Sequence, residues 1–305
     1  MNQPLTIHIG YHKTATTWMQ RKLFTAENGY AQIADHQDVF THIVQPHGLT
    51  FNPHAMIDLI DMRRSHLRAE VVPIISSETL CGNPLYGGRE SEVYAQRLAK
   101  IAPKSRILIS IRDQKKILPS VYMQYLRRGG TMPWEKFFEG TDEFEYFGFS
   151  ACHFEYHRLV ALYQDLFGVS NVHVATQESL KRDLDAAAFA IAAFTGNMRF
   201  KGLSDVARQP SGISYPEYAA STLRRINQLQ ASTLNPAPII RFGTTPKGLY
   251  RLAGYALKRP PLSTLLSRRS PLSDYVQAKF SGRFHDSNRQ LAQIVQHPLD
   301  LSGYD

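Results

Sequence analysis

The chain has 305 residues, 43% hydrophobic and 20% charged, the balance of a globular protein that can bury a sizeable core. Its two cysteines, Cys81 and Cys152, have no CxxC or Cys/His finger spacing, which excludes a disulfide framework and argues against a structural zinc site. The formal charge of +9 suits an anionic ligand, a nucleic acid or a membrane surface, without choosing among them.

The N-terminal MNQPLTIHIG lacks the basic start and apolar run of a signal peptide, and no apolar run reaches transmembrane length. The expectation is a soluble, cytoplasmic protein in a reducing compartment. Its oligomeric state is left open.

The elements follow in chain order. Leu5, Ile7 and Ile9 mark a strand that ends at Gly10, and Thr14 to Phe24 reads as a helix. Residues 71–75, VVPII, read as a buried strand weakened by Pro73, since proline removes a ladder donor. The run 105–111, SRILISI, reads as the best strand. Ile117, Leu118, Val121, Tyr122, Tyr125 and Leu126 then recur at helical spacing, with Pro119 making the helix start late or bend, and Gly129-Gly130 stopping it. Residues 171–175 read as a further strand and Asp183 to Phe194 as a helix. A polar stretch runs from about 196 to 216, then a helix over Glu217 to Gln230. Loops with short helices are expected over 234–272 and a single helix from Tyr275 to Val295.

Strands alternating with helices predict an α/β fold, a mostly parallel central sheet flanked by helices. No repeat, low-complexity tract or clean boundary divides the chain, so one domain is expected over 1–305, loop-rich and helical from about 200.

Two segments carry chemistry. The first is Gly10-Tyr11-His12-Lys13-Thr14-Ala15-Thr16-Thr17-Trp18, where a strand enters a turn and a helix leaves it. Free N–H groups at such a helix start and the helix dipole favour a phosphate-like anion. Lys13 adds a full charge, and Thr14, Thr16 and Thr17 add hydroxyls. The spacing is too short for GxxxxGK[ST]. The other reading of this string is an ordinary helix N-terminus with a threonine cap.

The second segment is Ile111-Arg112-Asp113 at a strand end, with Ser120 eight residues after the arginine. Arginine presents a planar fork to phosphate oxygens, and a serine in the following helix turn adds a neutral donor. Strand C-termini in a parallel sheet line one edge, so Lys13 and Arg112 can face one crevice. Alone, Arg112 reads better as a surface arginine paired with Asp113, and it is the second anchor at Lys13 that reverses this.

Together these segments resemble the PAPS-dependent sulfotransferases, in particular bacterial, carbohydrate-type members (PAPS is 3′-phosphoadenosine-5′-phosphosulfate). The family's phosphosulfate loop is matched at Gly10, Lys13, Thr14, Thr16 and Thr17, and departed from at Ala15, where glycine is usual. Its 3′-phosphate signature is matched at Arg112, Asp113, Ser120 and Tyr122, with Gln114 in place of the usual proline. The resemblance covers residues 5–24 and 105–128, and Ser281 to Leu291 more loosely. Alanine is tolerable at position 15 if its dihedrals are helical and costly if φ is positive.

The resemblance implies a P-loop-like fold and transfer of a sulfuryl group from PAPS to a hydroxyl or amine of an acceptor, a carbohydrate among the candidates. PAP is the product and no metal is required. Cofactor binding falls on Gly10, Lys13, Thr14, Ala15, Thr16, Thr17, Trp18, Arg112 and Ser120, with Trp18 stacking on adenine or packing in the core. Lys13 stabilises the leaving phosphate. Glu78, after Ser76-Ser77 at a strand end, is the first general-base candidate, or else a helix cap, and His12 is the runner-up, or else a side chain that shapes the loop.

Three other readings stay open. One is a nucleotide kinase-like enzyme, for which Asp113 is the candidate magnesium ligand. Another is a non-catalytic nucleotide- or polyanion-binding protein on the same scaffold. The third concerns 247–269, where six lysines and arginines interleave with leucines and tyrosines: a membrane or polyanion contact, a solvated loop, or a short basic mouth over an anionic acceptor. Nucleic-acid module signatures are lacking. His153 and His157, four apart, do not make H-E-x-x-H.

Overall fold

A computed structural model describes residues 3–140, 142–144, 146–209 and 215–304. Its centre is a five-stranded sheet of β1 (Thr6–Gly10), β2 (Tyr30–Ala34), β3 (Val72–Ser76), β4 (Arg106–Ile111) and β7 (Val172–Thr176). The order is β2-β3-β1-β4-β7 and every pairing is parallel. β5 (Asp142–Glu143) and β6 (Tyr146–Phe147) form a separate antiparallel pair.

The helices follow the chain. α1 (Thr16–Trp18) continues as a π-helical turn, Met19–Leu23, and α2 (His36–Val39) does the same over Phe40–Val44. Next come α3 (Pro53–Ser65), α4 (Ser91–Ile101), α5 (Gln114–Arg127), α6 (Trp134–Glu139) and α7 (Tyr156–Phe167). α8 (Gln177–Arg182), α9 (Leu184–Thr195), α10 (Asp205–Arg208) and α11 (Ala220–Asn227) follow. The last are α12 (Gly248–Leu257), α13 (Leu262–Leu266), α14 (Pro271–Phe280) and α15 (His285–Ile294). Among the described residues no helix is long and apolar enough to cross a membrane.

This is the expected α/β architecture: a parallel sheet with cores on both faces. Side chains alternate along each strand. Ile107, Ile109 and Ile111 of β4 therefore join the larger core with α4, α5 and α7, while Leu108 joins Trp18, Met19 and α9 on the other face. The chain starts in the middle of the sheet at β1, lays β2 and β3 on one side and β4 and β7 on the other. Such a reversal opens a crevice at the strand C-termini, where ligands of parallel sheets bind.

Several elements depart from the sequence expectation. β2, YAQIA, is not among the expected strands: with two alanines and a glutamine it carries a weak apolar alternation. Pro73 sits in a strand paired on both sides. Val72 donates to Gly29 on the β2 side and Ser77 donates to His8 on the β1 side. Alternation thus aims the position of the missing Pro73 donor at β1, one step before the β1 pairing begins at Thr6 and Ile74. α5 starts early at Gln114, not late, because the Asp113 carboxylate caps it by accepting from the Lys115 N–H at 2.9 Å. Pro119 lies inside it. The expected helix over 275–295 is two, broken at Gly282 with φ +68°. Of the polar stretch 196–216, residues 210–214 lie outside the described residues.

Candidate anion-binding site

The turn after β1 is built by backbone hand. Lys13 has φ 71° and Ala15 φ 66°, both left-handed, so the chain cannot enter a helix until Thr16. The expected helix start at Thr14 is corrected to Thr16. At Ala15 the costly alternative holds, since a left-handed non-glycine residue carries about 1–2 kcal/mol of strain. Left-handed residues in a turn form an N–H-lined nest for anions. No side chain caps α1. Gly10 is required by close approach: a Cβ there would overlap the Thr16 methyl and lie 2.7 Å from the Ser110 hydroxyl.

A buried polar chain holds this turn to the sheet. His8, Ser76 and Ser110 sit on one face of β1, β3 and β4, in registered positions around β1. His8 Nδ1 lies 2.7 Å from Ser76 Oγ and Nε2 lies 3.0 Å from Ser110 Oγ. Ser110 Oγ is 2.7 Å from Thr14 Oγ1, which donates to the Tyr11 carbonyl at 2.6 Å. Thr14 has one hydroxyl hydrogen, so Ser110 must donate to Thr14. His8 Nε2–H then donates to Ser110, and Ser76 donates to Nδ1. Burial pushes the His8 pKa down to about 3, so the ring is neutral, as this order requires. The hydroxyl of Thr14 thus serves the turn itself, leaving its backbone N–H for a ligand. Thr16 is buried, whereas Thr17 is exposed.

Arg112 leaves β4 beside this turn. Its Nη1 donates to Ser120 Oγ at 3.2 Å and approaches the Lys13 carbonyl at 3.5 Å, and its Nε is buried without a partner. The Tyr156 hydroxyl donates to the Arg112 carbonyl at 2.6 Å and fixes the backbone. Burial lowers the guanidinium pKa, partly offset by Glu178 and Tyr156. Among the described residues no carboxylate lies within ion-pair distance of Arg112. Glu178 instead accepts from the Tyr304 hydroxyl at 2.6 Å and from the Asp113 N–H at 3.4 Å. Asp113 is not paired with Arg112. It caps α5 and binds Lys116 Nζ at 2.8 Å, which removes it as a free magnesium ligand. Gln114, at the position of the usual proline, donates to the Phe154 carbonyl and to Asn288 of α15, so the departure has its own packing role.

Lys13, Glu78 and His12 share one electrostatic neighbourhood. Burial, then Arg127 and Arg112, hold the Lys13 ammonium below the ordinary lysine range, and Glu78 offsets part of this. Burial pushes His12 down to about 4, again opposed by Glu78. His12 Nδ1 lies 3.8 Å from the Cys81 sulfur. Glu78 opens a short 3₁₀ turn, Glu78–Cys81, after β3, and is half-buried.

Lys13 also lines a cavity of about 300 Å³ between α5 and α12. Arg127, Arg251 and Lys258 line it with Tyr215, Tyr250 and Tyr255, and no acidic side chain does. Sequence reasoning missed Arg127, which follows Met123 by one helix turn on the same face of α5 and gave no signal apart from its charge.

Trp18 is 8% exposed and its indole donates to the Ala207 carbonyl at 2.7 Å, so here it packs among Phe200, Leu203 and Ala207. His153 and His157 do not share a helix: His153 is buried before α7, and His157 binds Ser287.

No family model matches the sequence, and no curated protein matches it. Solved structures do. One is a sulfotransferase from Alicyclobacillus acidocaldarius, with TM-score 0.49 and 16% identity over 90% of this chain and 100% of that one. Another is a mouse sulfotransferase complexed with PAP, with TM-score 0.37 and 12% identity over 92% of this chain and 90% of that one. Both of these solved structures are sulfotransferases.

Proposed function

We propose that the protein is a PAPS-dependent sulfotransferase acting on a hydroxyl or amine. The observation that carries this reading is the convergence at Arg112, which touches both Ser120 and the Lys13 carbonyl while its own Nε is buried and unpaired. A buried donor left without a partner costs about 1–3 kcal/mol, and an anion would supply the missing acceptor. Two anion sites follow, one at the turn with Lys13 and Thr17 and one at Arg112 and Ser120. Both would lie at the C-terminal ends of the adjacent strands β1 and β4, where a nucleotide phosphorylated at both ends could bridge them.

When bound, PAPS would supply the sulfuryl group and a phosphate leaving group. Lys13 and the N–H groups of the turn would hold the charge that develops on the departing oxygen. The chain from Ser76 to Thr14 keeps the turn rigid as they do so. Glu78 would take the proton of the acceptor. His12, whose ring burial keeps neutral, is the second candidate. The acceptor would enter through the cavity lined by Lys13 and Arg127.

Thermal-shift titration tests the reading. PAP should raise the melting temperature, and ATP–Mg²⁺ raising it while PAP does nothing would overturn the proposal in favour of a kinase-like enzyme. Lys13→Ala should lower turnover with PAPS about 10²–10³-fold with an unchanged far-UV spectrum. A carbohydrate, a lipid and a small phenol are then compared as acceptors using labelled PAPS.

A further inference from the structure

From Tyr218 to Ser273 the chain has nine lysines and arginines and no aspartate or glutamate. Within this run, eight large hydrophobic side chains between residues 239 and 265 face water, among them Ile239 at 98%, Leu252 at 67% and Leu265 at 72% exposure.

α12 makes the arrangement explicit. Its inner face is Tyr250, Gly254 and Leu257, all buried, and Tyr215 packs so closely on Gly254 that a Cβ would overlap its ring. That face holds the helix, with Tyr255 edge-on to Tyr215 at the cavity side. Its outer face presents Leu249, Leu252 and Arg259 to water, with Tyr255 and Arg251 half turned toward the cavity they line. α13 adds Leu262 and Leu265, followed by Arg268 and Arg269. Ahead of α12, the Ile239–Phe242 segment is anchored by the Phe242 N–H bond to Leu229. Folding does not require these outward leucines and isoleucines, and water disfavours them.

We propose that residues 239–269 dock on an anionic lipid bilayer, with the aliphatic side chains entering the interface and the arginines and lysines at the headgroups. Such a bilayer engages both halves of the surface. A nucleic acid or an acidic glycan would engage the cations and leave the aliphatic groups in water. A second copy of this chain would set like charges against each other across the contact. A bilayer rich in anionic lipid takes up the aliphatic groups and attracts each cation. This surface does not depend on the sulfuryl-transfer reading.

The test is co-sedimentation of the full chain with phosphatidylcholine vesicles made with and without phosphatidylserine. Binding should require phosphatidylserine and weaken as salt rises. Leu252→Ser with Leu265→Ser should cut partitioning about tenfold or more at an unchanged melting temperature. Ile239→Ser is the independent variant if that pair melts early. Arg259→Gln should cost about fivefold. The proposal is overturned if phosphatidylserine vesicles fail to bind the protein. It is equally overturned if Arg259→Gln weakens binding while all the aliphatic variants leave it intact, the mark of a polyanion site.

Discussion

Ala15 carries its side chain at φ 66° in the turn where the resembled family has glycine. Its left-handed backbone is held by what surrounds it, with Thr16 packed on Gly10 and the Thr14 hydroxyl bonded to Tyr11. Ala15→Gly should therefore stabilise the protein by about 1 kcal/mol, read as a higher urea midpoint with an unchanged slope. A destabilised variant would mean that the alanine methyl contributes more by packing than its backbone strain costs. The residue types of this turn were legible in the sequence, because a lysine and threonines after a strand are chemistry written locally. The hand of the backbone was not, because it is imposed by contacts with β4.

At the scale of elements, the polar chain from Ser76 through His8 and Ser110 to Thr14 ties three strands to one turn. Ser110→Ala leaves the His8 Nε2–H without an acceptor and Thr14 without its donor. The expected loss is about 1–3 kcal/mol of stability, measured by denaturant unfolding. PAP affinity should fall with it, since the turn loses its anchor. An unchanged stability would mean that the neighbouring groups find other partners. The strand over 5–9 could be read from its alternating apolar residues, and so could β4. The partnership of His8 with serines 68 and 102 residues away could not, because it depends on strand order. β2 escaped notice because two alanines and a glutamine leave its apolar alternation faint. The break between α14 and α15 turned on one glycine inside an otherwise helical pattern.

Across the whole molecule, buried histidines set the response to acid. Burial lowers His8, His153 and His173 to about 3 and His12 to about 4. An unfolded chain binds protons to these rings below about pH 6.5, while the folded one does not. Their contribution is thus complete above about pH 6.5 and declines as the pH falls toward about 4 and then about 3. Each ring steepens the slope by up to about 1.4 kcal/mol per pH unit. Urea midpoints should fall continuously from about pH 6.5 to about 4, and a flat profile in that window would contradict buried neutral rings. His8→Gln should flatten the profile in part.

One carboxylate near the anion site has partners of its own. Glu178 raises the Arg112 pKa by its charge, yet its two oxygens are occupied by the Tyr304 phenol and the Asp113 amide. Negative charge thereby steadies the guanidinium from a distance without closing on it. The phenol acts as a latch on a rival, leaving the arginine charged, oriented and open to an incoming anion.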